Sequence, residues 1–132
     1  MMKIIYLIPF ILTLMLLSAC GNKVDDQVLI KAHEAYNSRE AIIIDVRTPG
    51  EYKAKHISGA RNFPLQSLPK DLRKLPKDKQ LILYCRSGNR SATAATFLKH
   101  RGFEVFDVAT QAEWERGQKL IIDHAKLQSS PK

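Results

Sequence analysis

A cysteine between a predicted strand and a predicted helix, followed by two arginines, is the part of this sequence best suited to chemistry. Arg86 directly follows Cys85, and four residues separate Cys85 from Arg90. Nearby positive charge favours the thiolate over the thiol, and the thiolate is the nucleophile. Gly88 permits a backbone turn that a Cβ would obstruct. The segment therefore predicts a nucleophilic cysteine in a loop that also attracts an anion.

The stretches on either side of Cys85 predict how the loop is held. Residues 80–84 form a short apolar run, typical of a strand buried on both faces. Residues 91–101 have apolar side chains at helical spacing. Consecutive N–H groups in such a strand–loop–helix unit can point at one spot, and the helix adds the positive end of its dipole. We predict Cys85 as the catalytic residue and the loop as the binding site of a small anionic substrate, with the binding residues Arg86, Ser87, Gly88, Asn89 and Arg90. The alternative is a phosphate-binding or structural loop with an incidental cysteine.

The rest of the chain alternates predicted helices with predicted strands. Further strands are expected at residues 41–46 and 103–108, with a brief extended piece within 59–64. Helices are expected at residues 28–37, 49–55, 67–75 and 112–124. This alternation predicts an α/β domain with a mostly parallel sheet. Ligands of such sheets bind beyond the carboxyl ends of the strands, which is where Cys85 lies.

Residues 1–19 have the character of an export signal. A start containing Lys3 precedes an apolar run, residues 4–17, which is short for a membrane-spanning helix. The following Leu-Ser-Ala-Cys resembles the signal of bacterial lipoproteins, which implies cleavage before Cys20 and lipidation of its sulfur. We expect residues 20–27 to tether a domain of residues 28–124 to a membrane of the cell envelope, facing the periplasm or the exterior, with a loose tail at 125–132. A plain signal peptide and an uncleaved anchor stay open as alternatives.

The composition excludes several other classes of protein. The 132 residues carry a formal net charge of +8 and contain two cysteines, too few for a disulfide framework or a four-cysteine zinc site. His33, His100 and His124 lack the spacing of metal ligands. The densest basic cluster consists of Lys70, Arg73, Lys74, Lys77 and Lys79. We interpret it as a solvated face, and the alternative is a surface that attracts anions or lipid headgroups. The basic residues lack interleaved aromatic residues, which argues against nucleic acid as a partner.

Three segments, in order, resemble a single-domain rhodanese of the thiosulfate sulfurtransferase type. They read Asp-Val-Arg-Thr-Pro-Gly-Glu-Tyr at 45–52, His-Ile-Ser-Gly-Ala-Arg-Asn-Phe-Pro at 56–64 and Cys-Arg-Ser-Gly-Asn-Arg-Ser at 85–91. The similarity covers roughly residues 28–120. Two departures concern pocket shape: Lys55 stands where the family often has Gly, and Thr110-Gln111 stands where it often has Gly-Gly ahead of the tryptophan.

The resemblance implies a small parallel sheet with helices on both faces, and a sulfur-transfer reaction. Cys85 would attack the outer sulfur of thiosulfate or a similar donor, release sulfite and become a persulfide. Cyanide, a thiol or a protein acceptor would then take the sulfur. Arg86 would bind the sulfonate end of the donor, and Arg90 would help or brace the loop. The reaction requires no metal and no organic cofactor.

Four residues near the site have a structural interpretation. We expect Asp45, Arg47 and Glu51 to form an ion-pair network behind the loop, and His56 to bond to backbone near the turn at Gly59.

The Cys85 loop has two alternative enzymatic interpretations and one non-catalytic interpretation. Related phosphatase loops place five residues between Cys and Arg, whereas this loop has four and would cradle a smaller group. A thiol-redox protein would need a second free cysteine. A rhodanese-like module at the cell envelope that binds a partner or an anion, or carries sulfur, without turnover stays the main alternative.

Overall fold

A four-stranded parallel sheet forms the centre of the computed structural model, which describes residues 23–129. The strands are β1 (Ala41–Asp45), β2 (Arg61–Asn62), β3 (Gln80–Cys85) and β4 (Val105–Thr110). They lie in the order β2-β1-β3-β4, and each neighbouring pair is parallel. The predicted parallel α/β sheet is confirmed, and Cys85 is the last residue of a central strand.

Helices cover both faces of the sheet, as predicted. They are α1 (Asp26–Asn37), α2 (Pro49–Ala54), α3 (Leu68–Asp71), α4 (Asn89–Lys99) and α5 (Gln111–Gln128), and the 3-10 turn Leu72–Lys74 follows α3. Side chains alternate across a strand, so β1 and β3 each contribute to two cores. Ile43 and Ile82 pack with residues of α1 and α5, whereas Ile44 and Leu83 pack with residues of α3 and α4.

The two ends of the domain differ from the expected tether and tail. We expected a loose tail from residue 125, but α5 continues to Gln128. The residues at 125–128 are Ala, Lys, Leu and Gln, all good helix formers. At the other end, α1 begins at Asp26 because the Asp25 side chain accepts the N–H of Gln27 and caps it. The predicted tether therefore ends before this helix.

The predicted signal at residues 1–19 and the lipidated Cys20 lie outside the described residues. Within residues 23–129, none of the helices combines the length and the apolar character that crossing a bilayer requires.

Candidate active site

The loop after β3 places Cys85 beside the first turn of α4. Gly88, at the N-cap of α4, has a φ of 94°. A Cβ added there would lie 3.2 Å from the Cβ of Ala109, which belongs to the neighbouring strand β4. Both the left-handed backbone and this close approach explain why the loop contains glycine at this position.

The sulfur of Cys85 receives two backbone hydrogen bonds. The N–H groups of Gly88 and Ser91 donate to Sγ over 3.1 and 3.4 Å. The Ser91 hydroxyl donates to the Gly88 carbonyl over 3.0 Å, which fixes the turn. Cys85 is 2% exposed, so these donors act where water is scarce. Together with the N-terminus of α4, they stabilise negative charge on the sulfur.

Three more N–H groups of the loop are available to an anion. Those of Ser87, Asn89 and Arg90 donate to no protein acceptor in the described part of the chain. The side chains of Arg86, Ser87 and Asn89 are exposed. The loop therefore offers backbone donors and one uncompensated charge, Arg86, at the carboxyl edge of the sheet. This arrangement suits binding of a small anion against the thiol.

Arg90 is held by a carboxylate of α2. Its two terminal nitrogens donate to the two oxygens of Glu51 over 2.7 and 2.9 Å. The same carboxylate accepts the N–H of Thr48 in a capping box that begins α2. Arg90, followed by the Thr48 N–H, lowers the pKa of Glu51, and Glu51 raises the pKa of Arg90. Arg90 thus joins the loop to α2, which favours the bracing role over donor binding as a prediction for it.

Asp45 lies at the centre of a second, separate network. The Tyr84 hydroxyl donates to Asp45 Oδ2 over 2.7 Å and accepts the N–H of Ile57 over 3.1 Å. Arg47 donates to Asp45 through Nε and Nη2, the latter over 2.6 Å. Burial and the bond to Asp45 raise the pKa of Tyr84, and the bond to Asp45 raises the pKa of Arg47. The three expected partners therefore divide into two networks, because Glu51 faces Arg90 rather than Arg47.

His56 bonds to a helix rather than to the predicted turn. Its Nδ1–H donates to the Tyr52 carbonyl over 2.8 Å, and its ring stacks on the Tyr52 ring at 3.8 Å between centroids. His56 lies four residues beyond Tyr52, one helical turn away, and so closes the end of α2. The expected bond near Gly59 was therefore wrong in its partner.

Two residues important to this site were missed in the sequence. The sequence predicted Tyr84 only as part of a buried strand, but its hydroxyl forms hydrogen bonds with both Asp45 and the Ile57 N–H. Ala109 has a φ of 59°, an unfavourable backbone for a residue with a Cβ. We expected the loss of glycine to matter at Thr110-Gln111, but Thr110 is extended and caps α5. The family often has two glycines ahead of the tryptophan that corresponds to Trp114. Those glycines were the sequence signal that a residue with left-handed backbone lies near this position.

A metal centre has no residues to hold it in the described domain. Within residues 23–129, no group of three or more His, Cys, Asp or Glu side chains could coordinate an ion.

The model of the rhodanese-like domain family matches residues 28–110 of this chain. A sulfurtransferase from Allochromatium vinosum is 30% identical over 82 residues, which cover 62% of this chain and 75% of that protein. The thiosulfate sulfurtransferase GlpE from Stutzerimonas stutzeri is 33% identical over 100 residues, 74% of this chain and 91% of its own length. The crystal structure of a rhodanese-related protein from Thermoplasma volcanium superposes with a TM-score of 0.56 at 34% identity, covering 65% of this chain and 89% of that one.

Proposed function

Because the chain belongs to the rhodanese-like domain family, we propose that it is a sulfurtransferase in which Cys85 carries sulfane sulfur from an anionic donor to a thiophilic acceptor. One observation carries the proposal: the buried Sγ accepts two backbone N–H groups within a loop that offers three more. These donors favour both the attacking thiolate and a donor anion placed against it.

The first step moves one sulfur atom onto the enzyme. The Cys85 thiolate attacks the outer sulfur of thiosulfate, and a new S–S bond forms as the S–S bond of thiosulfate breaks. Sulfite leaves with the electron pair of the broken bond, and Cys85 becomes a persulfide. Free loop N–H groups and the exposed Arg86 bind the sulfonate oxygens, while Arg90 stays paired with Glu51. Splitting the transfer into two displacements is the usual advantage of covalent catalysis.

The second step returns the thiolate. Cyanide or a thiolate attacks the outer sulfur of the persulfide, and the S–S bond to Cys85 breaks. The departing group is the Cys85 thiolate, which the N–H groups of Gly88 and Ser91 already stabilise. The same two donors therefore serve the nucleophile of the first step and the leaving group of the second.

The test uses a chain that begins at Gly21, since residues 23–129 contain the whole sheet and both cores. We expect the intact mass to rise by one sulfur atom on exposure to thiosulfate, with sulfite release, and thiocyanate to form once cyanide is added. Cys85→Ser is the matched control, and it should show neither change. A mass gain without turnover would favour a sulfur carrier. Neither signal in a folded protein would favour the non-catalytic binding module.

We also propose that Cys20 is lipidated and holds the domain at a membrane of the cell envelope. The support is the sequence Leu-Ser-Ala-Cys after an apolar run. Mass spectrometry of protein extracted from membranes should show a chain that begins at Cys20 and carries acyl groups. Cys20→Ser should lose them, and Cys85→Ser should keep them. An unmodified Cys20 in the extracted wild-type protein would contradict this proposal.

A further inference from the structure

Exposed basic side chains without acidic partners collect at the carboxyl edge of the sheet. Lys53 and Lys55 lie in and just after α2, which follows the carboxyl end of β1, and Arg61 lies in β2 beside that end. Arg86 follows the carboxyl end of β3. All four are exposed, and none forms an ion pair with a described acidic residue. We call these four residues the basic edge.

The acidic residues of the same region do not neutralise the basic edge. Glu51 is bonded to Arg90, whereas Asp26 and Glu113 share Arg116, and Asp107 of β4 accepts the N–H of Ala109. Two exposed carboxylates remain near the beginning of α1 and α5: Asp25, which caps α1, and Glu115, which accepts the amide of Gln111. The carboxylates of this edge therefore collect on its β4, α1 and α5 side, and the excess of positive charge lies on the side of α2, β2 and Arg86.

The N-terminal end of the domain is fastened to this edge. The Val24 N–H donates to Glu113 over 2.9 Å, and Arg116 donates to the Val24 carbonyl over 2.5 Å. Both partners lie in the first two turns of α5, which begins where β4 ends. Thr110, the last residue of β4, is the register partner of Cys85. Val24 is thus fixed at the edge of the sheet that carries the Cys85 loop.

Chain length then sets how far this edge can lie from a lipid on Cys20. Val24 is four residues beyond Cys20. Four residues span at most about 14 Å when fully extended. A lipid at Cys20 would therefore hold the β4 and α5 end of this edge close to the lipid headgroups. The basic edge lies along the same edge of the sheet, and each Lys or Arg near anionic lipid gains an attraction that weakens as salt rises.

We propose that the basic edge is a docking surface for an anionic lipid bilayer, so that the Cys85 loop faces the membrane surface. Charge complementarity and the fastened position of Val24 carry the proposal. It goes beyond sulfur transfer and does not depend on it, but it rests on the proposed lipidation of Cys20 for the position of the domain at the membrane. The lipid on Cys20 adds attachment, whereas the basic edge sets orientation.

The test measures sedimentation of the chain beginning at Gly21 with vesicles of phosphatidylcholine, with and without phosphatidylglycerol. We expect binding only to the anionic vesicles, weakening as salt rises. The variant Lys53→Gln/Lys55→Gln/Arg61→Gln should lose more than about tenfold in partition. The control Lys99→Gln/Lys119→Gln/Lys126→Gln removes the same charge from the end of α4 and from α5, and should change partition less than about twofold.

Three outcomes would overturn the docking surface. These are no binding at low salt, equal losses in the two triple variants, and release by inorganic phosphate but not by chloride at equal ionic strength. The last would assign the basic edge to small anions. Sulfur transfer from thiosulfate should be unchanged in the control variant and in Lys53→Gln/Arg61→Gln, which keeps Lys55 in place. A failure of docking is therefore separate from a failure of the proposed chemistry.

Discussion

Gly88 and Ala109 face each other between the active-site loop and β4, and both have left-handed backbone, with φ of 94° and 59°. Gly88→Ala would place a residue with a Cβ in that region, at roughly 1–2 kcal/mol. It would also force the new Cβ to 3.2 Å from the Cβ of Ala109, closer than an unstrained carbon contact, for about 1 kcal/mol more. We expect the free energy of unfolding to fall by about 2–3 kcal/mol. The Gly88 N–H would move off Sγ, so persulfide formation should also slow.

Ala109→Gly separates the two contributions. It relieves roughly 1–2 kcal/mol of backbone strain and loses about 0.5–1 kcal/mol to the greater freedom of glycine when unfolded. A net gain of about 0.5 kcal/mol is expected. In the double variant the contact disappears but the strain at residue 88 stays. Its stability should therefore exceed the sum of the two single effects by about 1 kcal/mol.

Urea titration of the wild type, both single variants and the double variant measures this coupling. Effects that add within about 0.3–0.5 kcal/mol would show that the two Cβ atoms do not interact. A loss of stability in Ala109→Gly alone would refute the strain at residue 109. Single-turnover release of sulfite, followed in the same four proteins, reports the placement of the Gly88 N–H independently of stability.

Two further predictions concern buried polar groups. Tyr84→Phe leaves the Ile57 N–H and one Asp45 oxygen without their partner, so the free energy of unfolding in urea should fall by about 1–3 kcal/mol, and an unchanged value would contradict the network. His33 is 5% exposed, and burial lowers its pKa, so the unfolded chain binds a proton that the folded chain resists. Stability should therefore be lost as pH falls below about 6.5, by at most about 1.4 kcal/mol per pH unit, and His33→Gln should lose this part of the pH dependence. Equal pH profiles for the wild type and His33→Gln would refute it.

The sequence was sufficient to predict the parallel sheet and the position of Cys85. Residues 41–46 and 80–84 are short apolar runs, and Cys85 followed by a glycine-containing loop and a helix specifies a local unit. The geometry of this strand–loop–helix unit depends mostly on residues that are close in sequence. Predictions of this kind succeed because strand, turn and helix preferences all act over a few residues.

The partners of charged side chains could not be predicted in the same way. Arg47 was expected to share a network with Asp45 and Glu51, but Asp45 is only two residues away and accepts the hydrogen bonds of its guanidinium group. Glu51 projects from α2 and meets Arg90 across 39 positions of sequence. Likewise, the bond that fastens Val24 to Glu113 joins residues 89 positions apart. Such pairings depend on how α2, α4 and α5 pack, which no local pattern records.

The two loop arginines, Arg86 and Arg90, differ in their partners, so steady-state kinetics can distinguish their roles. Arg86 is exposed and forms no ion pair within residues 23–129, whereas Arg90 is partly buried against Glu51. Arg86→Gln should raise the KM for thiosulfate several-fold at low salt with a similar kcat, and the difference should shrink as salt screens the exposed charge. Arg90→Gln should lower kcat about tenfold at every salt concentration, because the loop loses its brace and the N–H groups move from Sγ. Glu51→Gln should reproduce the Arg90→Gln effect, since it removes the same brace from the other side. A KM effect of Arg90→Gln that fades with salt, with Glu51→Gln unchanged, would show that Arg90 leaves Glu51 to bind the donor and would refute the division of roles.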